Sequence, residues 1–310
     1  MPRPFRFGLQ AKLAPNAAAW RDLARKAEDH GYSTLTMPDH FDGQLAPVPA
    51  LQAAADATTT LRVGALVLAN DYRHPVLLAA EMATVDLLSD GRLELGLGAG
   101  WMLTDYAAAG IALDRPGVRI DRMVETLRIL DGLFADGPFS FTGEHYSITD
   151  LDLQPKPVQR PRPPILIGGG GPRMLRTASR YADIVGVNAN LRSGAFDAEA
   201  ISDGTAENVV AKLAWVAEGA GDRFDQIELQ ARVHFVVFAD DRVGTADLLA
   251  GAVGLTGAQA LASPLALIGD VESMIDDLVA RRERFGFSYI TVGADVIDEF
   301  APVVARLSGT

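Results

Sequence analysis

The sequence predicts an α/β protein built as a single (β/α)8 barrel, in which eight parallel strands are each followed by a helix. Short apolar runs alternate with helical patterns from one end of the chain to the other, as parallel βα units require. The 310 residues match the size of one such barrel, and 48% of them are hydrophobic, which provides a sizeable core. A doubly wound sheet with a second domain stays open as an alternative, although neither an internal repeat nor a shift in composition marks a domain boundary.

The first half of the chain alternates strands and helices in short steps. Trp20, Leu23 and Ala27 share one face of the first predicted helix, and Gly31 ends it. The predicted strands lie at 5–10, 34–37, 61–68 and 93–97, and the predicted helices lie at 17–30, 49–58, 77–88 and 118–134.

Residues 135–163 break this rhythm, because they are rich in glycine, proline and aromatic residues and show little helical pattern. The alternation then resumes. Strands are predicted at 165–167, 184–187, 227–238 and 289–292, and helices at 173–181, 206–220, 271–285 and 299–307, with mixed helical segments to about residue 262. We expect one domain over 1–310, with insertions at about 135–163, 188–205 and 239–266 on the carboxyl-terminal face of the strands, where they would shape a substrate pocket.

Charge and composition exclude several classes of function. The net charge is −12 and lysine is scarce, so the surface repels nucleic acid. No apolar run approaches the roughly 20 residues that a membrane helix needs, and the first residues carry no signal core, so we expect a cytoplasmic protein without a membrane partner. The absence of cysteine excludes thiol chemistry, and no His/Asp/Glu cluster has metal-ligand spacing, so no metal site is expected.

Four consecutive glycines, at 168–171, join the fifth predicted strand to its helix. Glycine leaves the backbone bare, and Pro172 suits the first turn of a helix. The free amides at a helix start attract a phosphate, which Arg173 could also reach. An isolated glycine run is slightly more typical of a flexible turn, so its place in the fold has to decide.

His40, directly after the second predicted strand, is the best catalytic candidate. The reactive groups of such a barrel lie in the loops at the carboxyl ends of the strands, and imidazole exchanges protons near neutral pH. Asp39 or Asp42 could orient the ring. A histidine that merely caps the loop stays open as an alternative. We interpret His74 as structural and His234 as a core residue with satisfied hydrogen bonds.

A second glycine motif, Gly96-Leu97-Gly98-Ala99-Gly100-Trp101, follows the fourth predicted strand. Its spacing differs from the dinucleotide-binding G-x-G-x-x-G, and no helix begins at once. We interpret it as a place where a flat ligand lies against bare backbone. A P-loop is excluded, since the chain has no Gly-Lys pair, and no Gly-x-Ser-x-Gly elbow occurs.

Taken together, these segments resemble the bacterial luciferase-like superfamily of flavin- and deazaflavin-dependent barrel enzymes. The most specific part is the Ser89-Asp90-Gly91-Arg92 block that runs into the second glycine motif. The other matching segments are Pro38-Asp39-His40-Phe41, Leu61-Arg62-Val63-Gly64, Pro161-x-Pro163-Pro164-Ile165-Leu166-Ile167-Gly168-Gly169 and Ser263-Pro264-Leu265-Ala266-Leu267-Ile268-Gly269. Within the superfamily, the chain looks closest to actinobacterial oxidoreductases assigned to coenzyme F420, a deazaflavin.

This resemblance implies a homodimer and a cofactor whose tricyclic ring lies in the mouth of the barrel. It implies a non-prolyl cis peptide at Leu66-Val67, against the back face of the ring, and it matches His40, with Asp39 beside it, to a histidine near the hydride-transfer carbon in related sugar-phosphate dehydrogenases. The cofactor-binding residues that it implies are Leu66, Val67, Asn70, Gly98, Ala99, Gly100 and Trp101 around the ring, and Gly169, Gly170, Gly171, Pro172 and Arg173 at the phosphate.

The chain departs from those dehydrogenases at Trp101, where they carry a carboxylate, and at Gln44, where they place an aromatic residue. Both departures argue against sugar-phosphate oxidation. The predicted function is hydride transfer between coenzyme F420 and an unidentified small organic substrate, with His40 as proton donor or acceptor. Three alternatives stay open: an FMN-dependent monooxygenase of the same superfamily, a flavin- or deazaflavin-binding protein without turnover, and a barrel that binds some other phosphate.

Overall fold

The computed structural model describes residues 3–310. Its strands are β1 (Arg6–Gln10), β2 (Thr34–Met37), β3 (Arg62–Ala65), β4 (Leu68–Ala69), β5 (Leu93–Gly98), β6 (Phe139–Thr142), β7 (Ser147–Leu151), β8 (Ile165–Gly169), β9 (Ile184–Val187), β10 (Glu228–Arg232), β11 (Phe235–Phe238), β12 (Ala266–Gly269) and β13 (Phe287–Gly293). Its α-helices are α1 (Ala17–Asp29), α2 (Pro47–Ala57), α3 (Pro75–Leu88), α4 (Leu103–Ala109), α5 (Pro116–Phe134), α6 (Pro172–Tyr181), α7 (Ala198–Ser202), α8 (Ala206–Ala220), α9 (Arg242–Gly251), α10 (Gly257–Ala262), α11 (Val271–Phe285) and α12 (Ala301–Leu307). Short 3₁₀ turns lie at Asn70–Tyr72, Gly221–Gln226 and Ala294–Val296.

The main sheet confirms the predicted fold class. Its strands are hydrogen-bonded in the order β3-β2-β1-β13-β10-β9-β8-β5-β4, and β3 also pairs with β5. This is the strand order of a (β/α)8 barrel in which β3 and β4 together take the place of one strand. A two-stranded antiparallel hairpin (β6 and β7) and a two-stranded parallel pair (β11 and β12) lie outside it.

The chain divides into two compact units. The amino-half unit comprises Lys12–Arg25 and Leu35–Ile167. The carboxyl-half unit comprises the chain up to Ala11, Lys26–Thr34 and Gly168–Thr310. That the whole chain acts as one domain stays a prediction.

Strand β5 is the centre of the amino-half unit. It pairs with β3 and β4 on one side, as in Val63↔Leu93, and with β8 on the other, as in Leu97↔Ile167. All four of these side chains are fully buried, as expected for a parallel strand covered on both faces. The predicted strand at 61–68 is interrupted, because the backbone leaves the sheet between β3 and β4.

Strand β13 is the centre of the carboxyl-half unit, where it lies between β1 and β10. Its side chains are buried along its whole length. Arg6 of β1 makes two hydrogen bonds of 2.7 Å to the carboxylate of Glu228, and its guanidinium lies 3.6 Å above the ring centre of Tyr289. The two charges therefore neutralise each other in a well-ordered, two-point pair.

The prediction of one strand over 227–238 is wrong. β10 ends at Arg232, and the next two backbone amides turn to different partners: Val233 donates to the carbonyl of Thr291 and His234 to that of Leu265. The chain therefore changes sheets, and β11 pairs with β12 instead of extending β10. The alternation of apolar and polar residues continues across the break, from Leu229 to Phe235, and hid it in the sequence.

The predicted insertions contain short elements of their own. Residues 135–163 hold the hairpin of β6 and β7, whose tip is fixed to α5 because the Glu125 carboxylate accepts the backbone N–H groups of Glu144, His145 and Tyr146 at 2.7–3.1 Å. Residues 188–205 include α7, and 239–266 include α9 and α10. Among the helices of residues 3–310, none combines the length and apolar character needed to cross a membrane.

Candidate active site

His40 follows β2, and its ring is bound by a carboxylate that the sequence did not identify. Nδ1 of His40 lies 2.6 Å from Oδ2 of Asp105, whose side chain is 6% exposed. Asp105 stands on α4, a helix that the strand-and-helix prediction omitted. That helix is one of the shortest in the fold and has no long apolar stripe, although Gly110, which ends it in the left-handed conformation, is a recognisable stop signal.

Tyr72 completes this cluster. Its hydroxyl donates to the same oxygen of Asp105 at 3.4 Å, and its ring lies between those of Phe41 and Tyr106. Burial raises the pKa of Tyr72 above its ordinary value, and the negative charge of Asp105 raises it further. The hydroxyl is therefore protonated at any physiological pH and acts as a donor.

Asp39, the residue expected to orient His40, has other partners. Its carboxylate accepts hydrogen bonds from Arg73 at 2.6 and 3.3 Å and from the backbone N–H of Ala69 at 2.9 Å. The expectation that it orients His40 is therefore corrected: the side chain ties β4 and the following turn to the end of β2. A direct catalytic part for Asp39 stays a prediction.

The predicted cis peptide is present at Leu66-Val67. The bulge that it forms separates β3 from β4 and is held by the Leu66 N–H, which donates to the Met37 carbonyl at 2.7 Å. Two glycines of the second motif make room for the bulge. A Cβ on Gly98 would lie 2.6 Å from Cγ2 of Val67, and one on Gly96 would collide with the Ala65 carbonyl.

Packing is therefore one cause of the second glycine motif. In the Cβ direction the bare backbone of β5 is filled by the chain's own bulge, and a flat ligand against the motif stays a prediction. Packing also explains Gly100, which has φ +75°. A Cβ on this residue would have no room, because the Tyr106 hydroxyl occupies that position.

The loop after β5 is held by a buried ionic network that sequence reasoning missed. Arg119 of α5 donates to the carbonyls of Ala99 and Gly100. Arg122, one turn later, donates to the buried carboxylate of Asp71 at 2.8 Å and also pairs with Asp114. The Tyr106 hydroxyl donates to Asp71 as well, at 2.9 Å.

This network presents Trp101 to the catalytic candidate. The rings of Trp101 and His40 meet edge to face, with centres 5.6 Å apart and an interplanar angle of 89°. The imidazole is thus held by a carboxylate at one nitrogen and by an indole against its ring. Its orientation is set by packing as well as by hydrogen bonding.

Asn70, directly after β4, is 1% exposed, and its side-chain amide interacts with the hydroxyl of Tyr146. A buried amide can both donate and accept, so one such contact leaves hydrogen-bonding capacity for a ligand. The sequence placed Asn70 among the cofactor-binding residues. The observed environment is compatible with that prediction.

The four-glycine run lies in the carboxyl-half unit from Gly168 onward, and two of its glycines are required by close packing. A Cβ on Gly169 would collide with Met174, and one on Gly170 would collide with the Ala189 carbonyl. The run does not serve to reach positive φ. Gly171, the N-cap residue directly before α6, has φ −93° and ψ 156°.

The open position of the run is at Gly171. The nearest atoms to a Cβ there belong to the side chain of Asn190, at 3.7–3.9 Å, and the next two residues, Pro172 and Arg173, are exposed. Pro172 occupies the first turn of α6 as expected. The start of α6 therefore presents backbone amides beside a polar side chain, without a side-chain cap.

The loop that faces the glycine run is anchored by Lys212, a buried residue to which the sequence assigned no role. Its ammonium donates to the carbonyls of Asn188 and Asp203, at 2.8 and 3.0 Å, and pairs with the Asp203 carboxylate. That carboxylate also accepts the backbone N–H of Asn190 at 2.6 Å. Burial lowers the pKa of Lys212, while the negative charge of Asp203 opposes this effect.

His234 is a satisfied, nearly buried residue, as its alternation in the strand pattern suggested. Its Nε2 lies 3.0 Å from Oδ1 of Asn188, an oxygen that also accepts the Ala189 N–H, and its ring lies against Phe196. Burial lowers its pKa to about 3, with the charge of Arg232 adding to the effect. The ring is therefore neutral at physiological pH and donates through Nε2.

Three other basic side chains have structural partners. His74 caps α3 by accepting the N–H of Val76, Arg162 pairs with Asp131, and Arg176 pairs with Glu218. Within residues 3–310, no group of three or more His, Cys, Asp or Glu side chains is arranged to hold a metal ion.

Comparison with known proteins places the chain among relatives of two cofactor types. It is 33% identical over 180 residues to an FMNH(2)-dependent dimethylsulfone monooxygenase of Pseudomonas putida. The matched region covers 56% of this chain and 49% of that protein. It is also 33% identical over 193 residues to an F420-dependent glucose-6-phosphate dehydrogenase of Nakamurella multipartita, covering 59% and 56%. The chain thus spans about half the length of these curated relatives.

Solved structures agree on the fold. The coenzyme F420 dependent tetrahydromethanopterin reductase from Methanopyrus kandleri superposes with a TM-score of 0.78 at 18% identity, over 98% of this chain and 100% of that one. A monooxygenase from Streptomyces bottropensis gives 0.72 at 22% identity, over 97% of each chain. The family model for luciferase-like monooxygenases matches residues 4–256. The chain belongs to the luciferase-like monooxygenase family.

Proposed function

We propose that the protein is an oxidoreductase that transfers a hydride between coenzyme F420 and a small organic substrate. The observation that carries this proposal is the bulge of Leu66 and Val67, where the Val67 side chain packs against Gly98 in the same unit as His40. The resemblance expects such a bulge behind a flavin-type ring. The relatives of the chain that are F420-dependent dehydrogenases support the deazaflavin in particular.

Two observations test whether the residues present fit such a cofactor. The buried amide of Asn70, which interacts with the Tyr146 hydroxyl, lies at the strand end where a ring would bind, and a polar edge of the ring would use its remaining hydrogen-bonding capacity. At Gly171, the start of α6 leaves backbone amides available, and a phosphate is the group that a helix amino terminus binds best. Both features fit the group.

In this proposal the ring would be held by Leu66, Val67, Asn70 and the loop of Gly98, Ala99, Gly100 and Trp101. The phosphate would be held by the amides of Gly169, Gly170 and Gly171, with Pro172 shaping the helix start and Arg173 supplying positive charge. The bound deazaflavin supplies the hydride chemistry.

The protein's own part in the reaction would be orientation and proton transfer. His40 would accept or donate, at its free ring nitrogen, the proton that accompanies hydride transfer. Trp101 and the loop held by Arg119 would exclude water from one side of the imidazole. Trp101 also stands where sugar-phosphate dehydrogenases carry a carboxylate, so we propose a substrate other than a sugar phosphate.

The second candidate is a monooxygenase that uses reduced FMN and oxygen. The Pseudomonas putida relative, which is FMNH(2)-dependent, favours it. Both candidates need a flavin-type ring and a phosphate, so the same residues would serve either. We also propose that the protein works as a homodimer, as the resemblance implies.

Titration of the purified protein with F420 and, separately, with FMN tests the proposal. Cofactor fluorescence and isothermal calorimetry report the two dissociation constants. We expect F420 to bind in the micromolar range and FMN at least tenfold more weakly. Preference for FMN would replace the proposal with the monooxygenase, and binding of neither would reject both.

A further inference from the structure

We propose that Asp105 is the positioning residue of His40: it holds the ring by Nδ1 and thereby leaves Nε2 as the nitrogen that exchanges a proton with the substrate. The inference rests on the proposed catalytic role of His40. It adds the residue that sets the tautomer and the direction of the ring, a residue four positions beyond Trp101.

The hydrogen-bonding inventory assigns the proton. An ionised carboxylate can only accept, so the 2.6 Å contact requires Nδ1 of His40 to be the donor. The second donor to the same oxygen is the Tyr72 hydroxyl, at 3.4 Å. A neutral imidazole that carries its hydrogen on Nδ1 has its lone pair on Nε2.

The neighbouring carboxylates pair with arginines, whereas Asp105 pairs with His40. Asp39 is paired with Arg73, and Asp71 is paired with Arg122. Among the described residues, the basic group that pairs with Asp105 is His40. The carboxylate is 6% exposed and the imidazole 20%, so solvent screens the pair little.

Both members of the contact are held in place. Asp105 lies in the first turn of α4, and its Oδ2 is used by His40 and Tyr72. The Trp101 ring packs edge to face with the imidazole, at 5.6 Å between ring centres. The ring is therefore fixed at one nitrogen and by packing, and a carboxylate at one nitrogen of a histidine is the arrangement that sets its tautomer.

Nitrogen NMR of the protein without cofactor tests the inference and needs no substrate. The chain has five histidines, so long-range 1H–15N spectra of 15N-histidine-labelled protein are simple, and the set that disappears in His40→Gln belongs to His40. We expect wild-type His40 at pH 8 to show the pattern of the Nδ1–H tautomer. The Nε2–H pattern in the wild type would overturn the inference by itself, whatever the variants do.

The variants test whether Asp105 is responsible. Asp105→Asn keeps the shape but offers a mixed donor and acceptor, so we expect the Nδ1–H tautomer to lose its dominance, and Asp105→Glu to retain it in part. Asp42→Asn, an exposed carboxylate of the same loop, is the matched control and is expected to leave the spectrum unchanged. A folded Asp105→Asn protein with the wild-type pattern would reject the positioning role.

Cofactor titration separates this inference from the proposed function. Asp105→Asn is expected to bind F420 within twofold of the wild type, because Asp105 faces His40 and Tyr72. Failure of the wild type to bind F420 would reject the proposed function and leave the NMR result standing. F420 binding by the wild type together with an Nε2–H tautomer of His40 would support the proposed function and reject the positioning role of Asp105.

Discussion

Val67 occupies the space that a side chain at residue 98 would need: a Cβ on Gly98 would lie 2.6 Å from Cγ2 of Val67. Gly98 of β5 and the bulge between β3 and β4 are therefore one structural unit. A pattern that reads in the sequence as a ligand-binding glycine motif is, at this position, a requirement of backbone packing.

Gly98→Ala is expected to lower the free energy of unfolding by about 1–3 kcal/mol, because the added methyl overpacks the bulge. It should also weaken F420 binding, since Val67 would have to move. Urea denaturation and cofactor titration measure the two effects. Gly251→Ala is the matched control, because that helical glycine has open space around it and an ordinary φ, and it should be neutral or slightly stabilising. Equal effects of the two substitutions would contradict the packing argument.

His40→Ala is expected to abolish turnover, with a loss of about 10²–10⁴-fold once a substrate is found, and to leave the F420 dissociation constant within about twofold. In the proposed mechanism the imidazole moves a proton and does not hold the cofactor's phosphate. Stopped-flow measurement of F420 reduction and fluorescence titration give the two quantities. Undiminished turnover would remove His40 from the mechanism.

Lys212→Met is expected to destabilise the carboxyl-half unit by about 3 kcal/mol, because it leaves the Asp203 carboxylate and the Asn188 carbonyl without their buried donor. The 188–190 loop should loosen, and F420 affinity should fall with it, since that loop packs against Gly170. Chemical denaturation and cofactor titration report both.

Lys12→Met provides the control for that substitution. Lys12 is exposed, so the same chemical change should alter the free energy of unfolding by no more than about 0.5 kcal/mol. A Lys212→Met protein as stable as Lys12→Met would show that the buried ammonium does not hold the loop.

His234 is expected to make folding sensitive to acid. Its pKa is lowered from 6.5 to about 3 in the folded protein, so above pH 6.5 the ring is neutral in both states and has no effect. Between pH 6.5 and about 3 the unfolded chain binds a proton that the folded chain does not, and stability falls by up to about 1.4 kcal/mol per pH unit.

Comparison of the wild type with His234→Gln by urea denaturation at pH 7.5 and pH 5 measures this effect. On going from pH 7.5 to pH 5, the wild type should lose more unfolding free energy than His234→Gln, because the variant lacks the group that binds a proton only in the unfolded chain. His145→Gln serves as the matched control and should lose as much as the wild type. A difference that does not change with pH would contradict the lowered pKa.

The sequence alone predicted the order of strands and helices well, including β2, β9 and α8 residue for residue. It failed where elements are short or where strands change partners. α4 has seven residues, too few for a helical stripe to be recognised, and the apolar–polar alternation of β10 continues to the start of β11 although β11 belongs to another sheet. Hydrophobic periodicity shows which face of a segment is buried, but it does not show which neighbouring element covers that face.

The site shows the same division. The sequence identified His40 and the glycine run because each follows a strand in a fold whose loops carry the chemistry, and it identified the bulge at Leu66-Val67 through the family resemblance. It assigned the wrong carboxylate to His40, since Asp39 adjoins it in the chain while Asp105 lies 65 residues away and meets it only through α4.

What the sequence by itself determined is therefore the fold class, the family and the loops that carry the candidate residues, because these depend on local pattern and on short motifs. Only the tertiary structure decided which side chains meet: Asp105 with His40, Asp39 with Arg73, Lys212 with Asp203, and Val67 with Gly98. Lys212 and Asp203 lie nine residues apart within one unit, and the other three pairs join residues from different βα units. Their contact depends on how those units pack, and no spacing along the chain records it.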